Sequence, residues 1–226
     1  CTLASINLTN GVTTGATFHA PRWDPQGRWV SFVSSAQDLV TNALAGICHL
    51  FQRDLITGTT ALLDVDGTTG GWPLSSFTVP VLSDDGRFVA FECVRPEVAG
   101  NSYSQVFVLD RETGAPELIS HHAPELVCAT GDNSSFASAS GLSANGQLAV
   151  FASDAEDLVP NDGNGFRDVF VHDLLACTNR LLSANGDSIS GSGPSFDPVT
   201  SGNGRFVAFT SAASVFVGND TNAATD

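Results

Sequence analysis

Asp162, Asn164 and Asp168 are the residues of this sequence whose types and spacing best suit a chemical task. In Asp162-Gly163-Asn164-Gly165-Phe166-Arg167-Asp168 two side-chain oxygens stand at alternating positions of a tight loop, and another carboxylate follows six residues after the first. Oxygens so placed can converge on one hard cation, with a backbone carbonyl between them, as in other D-x-[DN] calcium loops. The set recurs as Asp220-Thr221-Asn222 with Asp226. Calcium is the expected cofactor, held by Asp162, Asn164 and Asp168 in one loop and by Asp220, Asn222 and Asp226 in the other. The loops lack the terminal bidentate Glu of an EF-hand, and ordinary Asx turns are the competing reading.

Other catalytic chemistry has few candidates. No G-x-S-x-G nucleophile elbow occurs, and none of His19, His49, His121, His122 and His172 belongs to an H-E-x-x-H pair. His172 alternates with Val171 in an extended run and reads as a solvated or hydrogen-bonded imidazole. The adjacent His121-His122 pair reads as part of a surface loop, with a metal-ligand role as the alternative. Cys1, Cys48, Cys93, Cys128 and Cys177 contain no C-x-x-C pair, so zinc-knuckle and redox spacings are missing. Cys1 could be an amino-terminal nucleophile or a lipidated residue, but an excerpt boundary explains it better. The chain is expected to be non-catalytic.

The 226 residues carry 24 acidic and 9 basic side chains, a formal charge of -15. All the basic residues are arginines, scattered from Arg22 to Arg205, so the clustered positive charge that phosphate backbones require is missing and nucleic acid is excluded as a partner. No run reaches the roughly 18 apolar residues of a spanning helix, so no membrane insertion is expected. The absence of Lys and the abundance of Ser, Thr, Asn and Gly suggest a bacterial protein that is secreted, periplasmic or at the cell surface.

The elements that position these residues are set by a repeat. SDDGRFVAF (83–91), SANGQLAVF (143–151) and SGNGRFVAF (201–209) share a pattern with DPQGRWVSF (24–32), and their marker glycines, Gly27, Gly86, Gly146 and Gly204, are separated by 59, 60 and 58 residues. Each of the first three copies leads into a second apolar run ending in Asp54, Asp110 or Asp173, then a turn and a third run. One unit reads as four short strands. Pro21, Pro80 and Pro198, six residues before the marker, sit on an innermost strand and limit its ladder bonding to one side. The Gly turns are hairpins. Phe88-Val89-Ala90-Phe91 is apolar on successive residues, so both faces of that strand must be covered. The three Asp residues, with Arg28, Arg87 and Arg205, read as turn structure.

Four-stranded units at this period are what radial β-blades require. SDDGRFVAF paired with DVFVHDL resembles the TolB-like propeller repeats, a WD-repeat-like family with S-x-D-G-R-x-[IV]-A-F followed by D-[IV]-[FY]-V-x-D-x-x-T-G. The resemblance spans nearly the whole chain. It departs at DPQGR in the first copy and at Ala176-Cys177, which stands where the family has Thr-Gly. It implies an all-β propeller of antiparallel four-stranded blades, present as a partial ring or an excerpt of a larger one: an outer strand in 1–10, blades at 15–66, 74–122 and 135–185, and a partial blade at 194–226.

By alignment of the copies, Ala43, Ala45 and His49 in the first blade and Ala99, Asn101 and Gln105 in the second stand where the third has its calcium set, so those two blades should not bind. Loops joining second to third strands and those crossing between blades emerge on one side of a propeller. That side should carry Trp72, His121 and His122 as a binding surface, together with Cys48, Cys93, Cys128 and both Asp-Asn loops. Cys93 replaces the Ser of the other copies and Cys128 lies in extra residues of the same blade, which suggests a Cys93–Cys128 disulfide, with Cys48 as the alternative partner. The expected function is a binding or scaffold module for a protein or glycan. The propeller domain of a secreted hydrolase, glycosidase or peptidase, or its accessory domain, is the alternative.

Overall fold

The structure, a computed structural model, describes residues 13, 16, 18–41, 44, 48–64, 79–94, 103–123, 131–160, 162–185, 190–216 and 224–225. These residues form fourteen strands and no helix. The first blade is β1 (Phe18–Trp23), β2 (Trp29–Ser34), β3 (His49–Asp54) and β4 (Thr60–Leu62); the second is β5 (Val81–Leu82), β6 (Phe88–Val94), β7 (Ser104–Asp110) and β8 (Pro116–Leu118). The third is β9 (Ser135–Leu142), β10 (Leu148–Ser153), β11 (Asp168–Asp173) and β12 (Thr178–Leu181), and β13 (Ser195–Thr200) and β14 (Val207–Ser211) begin a fourth. Strands within each blade pair antiparallel in chain order. A single parallel pairing, Val199 with Ser140, joins the inner strands β13 and β9.

The marker motif has a local physical cause. In the second blade Ser83 Oγ accepts the Phe88 N–H at 2.9 Å and donates to Asp85 Oδ1 at 2.6 Å, while Asp85 Oδ1 also takes the Arg87 N–H. Ser143 with Asn145 and Ser201 with Asn203 repeat this arrangement. Asp24 replaces Ser in the first copy and accepts the Trp29 N–H at 2.7 Å, which is why the DPQGR variant still turns. The marker glycines are left-handed, with φ between 66° and 69°.

The apolar runs of the second blade bury both faces because that blade packs between the first and the third. On β6 and β7, Val89, Phe91, Phe107 and Leu109 join Val33 and Leu50 of the first blade in one cluster. Ala90, Val106 and Val108 face the other way, into a cluster with Ala149, Phe151 and Phe170 of the third. Period-two alternation therefore feeds successive residues to opposite interfaces. Inside each blade one Phe pair lies directly across the ladder: Phe32–Phe51, Phe91–Phe107 and Phe151–Phe170, with ring centroids 5.6–5.9 Å apart. Such pairs add about 0.5–1.5 kcal/mol to their area burial.

The inner strands are irregular. Ala20 and Asp197 take positive φ immediately before Pro21 and Pro198, where the register of β1 and β13 shifts. Proline thus acts through a bulge as well as through its missing N–H.

Candidate functional site

The most organised polar chemistry lies at one repeat position, the first residue of the third strand in the first and third blades and the second residue in the other. There the blade is fastened to a residue just beyond its fourth strand, fifteen positions on. His49 Nδ1 meets Asp64 Oδ2 at 2.9 Å with both side chains fully buried, and Asp64 Oδ1 accepts the Leu50 N–H. In the second blade Ser120 donates to Gln105 Oε1 at 2.6 Å and accepts the Val106 N–H. In the third Ser183 donates to Asp168 Oδ1 and accepts the Val169 N–H at 2.8 Å. Two of these latches also reach the next blade. Gln105 Nε2 donates to the Asn133 carbonyl at 3.1 Å, and Asn164 Nδ2 does the equivalent with the Gly191 carbonyl at 2.9 Å.

The third-blade latch differs in charge. Asp168 is fully buried, and its Oδ2 accepts from Asn164 Nδ2 at 2.7 Å. Asn164 Oδ1 is taken by the Phe166 N–H at 2.8 Å, so the Asx turn is present, and the amide turns its nitrogen rather than its oxygen toward the carboxylates. Asp162 is 8% exposed, and neither carboxylate oxygen has a hydrogen-bond partner. Burial first, then the Asp168 charge and contact, push the Asp162 carboxyl up to about 7, and burial also raises Asp168. Two acceptors that lie against each other need a proton or a cation between them. Among the described residues no three His, Cys, Asp or Glu side chains form a ready metal cluster, so this pair would supply two carboxylates. Asp220, Asn222 and Asp226 lie outside the described residues, as do Ala43, Ala45 and Ala99 of the blades expected not to bind.

His121 and His122 are half-buried between blades. The His121 ring meets the His172 ring edge-on at 5.5 Å, its carbonyl accepts from Asn179 of the third blade, and His122 Nε2 is 3.9 Å from Asp157. His172 is fully buried, with Nδ1 2.9 Å from Asn179 Oδ1 and Nε2 3.2 Å from Glu117 of the second blade. The hydrogen-bonded reading of His172 is therefore the one that holds, and it depends on a neighbouring blade. That contact lowers the Glu117 carboxyl.

Trp72 and Cys128 lie outside the described residues. Cys93 is buried, with Sγ 3.6 Å from the Val94 carbonyl. Cys48 holds a free thiol inside the apolar cluster between the first two blades, so it is not the disulfide partner of Cys93.

On the opposite side of the blades the recurring Asp residues cap turns. Asp54 accepts the Ile56 and Thr57 N–H groups, Asp110 that of Glu112, and Asp173 those of Leu175 and Ala176. Arg28 pairs with Asp54 at 2.8 Å and Arg87 with Asp110 at 2.6 Å, which holds both carboxyls below the usual range.

The inner strands border a groove of about 480 Å³. Besides Ser138 it contains Arg22, Glu92, Arg167 and Asp197. Glu92 comes from β6 and accepts the Ala137 N–H, and Arg167 forks onto Asp154 while lying 4.0 Å over the Phe136 ring. No repeat signal marks either residue, because both reach the groove from outside the inner-strand motif.

TolB from Acinetobacter baumannii superposes with a TM-score of 0.51 over 86% of this chain and 37% of its own, at 16% identity. The chain has the fold of the TolB-like β-propellers. A TolB-type protein from Agrobacterium tumefaciens gives 0.51 over 88% of this chain and 55% of its own, at 18% identity. An oligogalacturonate lyase in complex with manganese gives 0.50 over 90% and 49%, at 14% identity. The chain thus spans between 37% and 55% of the length of these three proteins. No protein-family model and no curated protein matches it.

Proposed function

We propose that this TolB-like propeller region is a non-catalytic module that binds a protein or glycan partner outside the cytoplasm. The observation that carries the reading is where the chemistry-bearing side chains are engaged. His49, Gln105, Asp168 and His172 serve latches within and between blades, and Arg28, Arg87 and Arg167 serve ion pairs of the blades. The first four are committed to buried contacts and hold a rigid surface, not free to move protons or attack a substrate, while the arginines are engaged in partly exposed ion pairs. A composition without Lys and rich in Ser, Thr, Asn and Gly supports placement in the periplasm, at the cell surface or outside the cell. The binding surface is the latch side, where His121 and His122 lie at the junction of the second and third blades, and Trp72 is its third candidate residue by sequence.

The hydrolase alternative draws on the groove, where Glu92 and Asp197 provide acids beside Arg22. Burial raises the Glu92 carboxyl, as a general acid would require, although its Oε1 already holds the Ala137 N–H. Fold likeness to a lyase names no ligand. The purified chain, incubated with a panel of glycosides and peptides, should show no turnover. Reproducible turnover abolished by Glu92→Gln would replace the binding reading with the enzymatic one.

A further inference from the structure

We propose that Asp162 and Asp168 hold a hard divalent cation, calcium by ligand type, at the junction of the third and fourth blades. The inference is independent of what the propeller binds. Its basis is a comparison of one position in three blades. His49 brings an imidazole there, Gln105 brings an amide whose nitrogen donates to the next blade, and the third blade brings the Asp168 carboxylate, joined by that of Asp162 from six residues earlier. The positive end of a dipole is thereby exchanged for negative charge in a buried place.

The oxygens show what is missing. Asp168 Oδ1 takes the Ser183 hydroxyl and Oδ2 takes the Asn164 amide. Asp162, more than nine-tenths buried, has neither oxygen satisfied. An ionised carboxylate buried without a partner is costly, and a proton shared between the two carboxyls would engage one oxygen of each and still leave one Asp162 oxygen without a partner. The nearby arginine does not compensate, because Arg167 is forked onto Asp154.

The donor set is all oxygen, which disfavours zinc and other N- or S-seeking ions and suits calcium, with water completing the coordination. Two carboxylates place the affinity in the weak class of extracellular sites, on the order of 0.1–1 mM. Asn164 serves as the frame: it donates to Asp168, accepts from Phe166 and ties the loop to the Gly191 carbonyl. A cation here would draw the loop together and hold the 162–168 segment against the start of the next blade, where Ser195 N–H donates to the Arg167 carbonyl.

The test is calorimetry and thermal melting of the chelator-treated chain at matched ionic strength, with CaCl₂ as the probe. Calcium at tenfold Kd should raise the melting temperature by about 3–6 °C. Asp162→Asn should remove one equivalent of bound calcium and reduce the shift while melting cooperatively in chelator. Asp168→Asn keeps an acceptor for Ser183 and should do the same, which guards against one variant failing to fold. No heat and no melting shift in the parent chain would overturn the proposal and leave a proton between the carboxylates. Undiminished calcium binding by both variants would overturn it equally.

Discussion

Replacing Gly146 by Ala should destabilise the protein far more than the same change at Gly27, although the two glycines have the same φ of 67° and the same place in the repeat. Left-handed backbone costs an alanine roughly 1–2 kcal/mol, and Gly27→Ala should cost no more, since nothing lies within 4 Å of the added Cβ. At Gly146 the new methyl would lie 2.0 Å from Cδ2 of Phe88, a ring of the preceding blade. Relieving that overlap means displacing the Phe88 ring at the blade junction, for which overpacking costs of about 1–3 kcal/mol more are expected. Gly86 and Gly204 should fall between, because their Cβ atoms would meet Trp29 and Leu148 of the preceding blades at 2.9 and 2.8 Å. Urea unfolding of the four variants measures the order, and Phe88→Ala added to Gly146→Ala should recover part of the excess. If Gly146→Ala were no worse than Gly27→Ala, the marker glycine would be a turn residue alone and the interblade argument would fail.

Asp162 sets a pH dependence in chelator. Its folded carboxyl is raised to about 7 from a usual value near 4, so the stabilisation of the protonated form is complete below pH 4 and is lost as pH rises through 7. Relative to the parent, Asp162→Asn should flatten urea-measured stability between about pH 4 and 8; parallel curves would contradict this. Ser183→Ala removes the donor to Asp168 and the acceptor of the Val169 N–H, and should cost about 1–3 kcal/mol in denaturant unfolding, whereas a cost under a few tenths would deny the latch. Native thiol labelling should reach exposed Cys177, slowed by the Glu117 charge that raises its thiol pKa, and should reach Cys48 only on unfolding. Rapid native modification of Cys48 would show that the first two blades do not pack face to face.

The architecture was legible because it depends on short, repeated patterns. The Ser-x-Asp/Asn-Gly turn encodes its own hydrogen bonds, and the last Phe of the marker meets the Phe of the following run across the ladder in every complete blade. The latches were not legible. Each joins residues fifteen positions apart, and its chemistry changes from His–Asp to Gln–Ser to Asp–Ser, so no constant motif marks it. His121-His122 resembles a loop pair in sequence because the groups that hold it, Asn179, His172 and Asp157, belong to another blade. For Asn164 the sequence names the residue but not which end of its amide faces Asp168, and the Phe166 N–H settles that. Glu92 enters the inner groove from a strand whose pattern concerns only the core.

The claim that polar side chains fasten neighbouring blades is tested most directly by a double-mutant cycle on Glu117 and His172. They lie 55 residues apart in sequence, in different blades, with Nε2 and Oε1 3.2 Å apart. His172 is fully buried, whereas the Glu117 side chain is 37% exposed, so the coupling should sit at the lower end for a charged hydrogen bond. Urea unfolding of the parent, Glu117→Gln, His172→Gln and the double variant should give a coupling free energy of about 1 kcal/mol. Strictly additive single effects, within about 0.3 kcal/mol, would contradict the interblade latch.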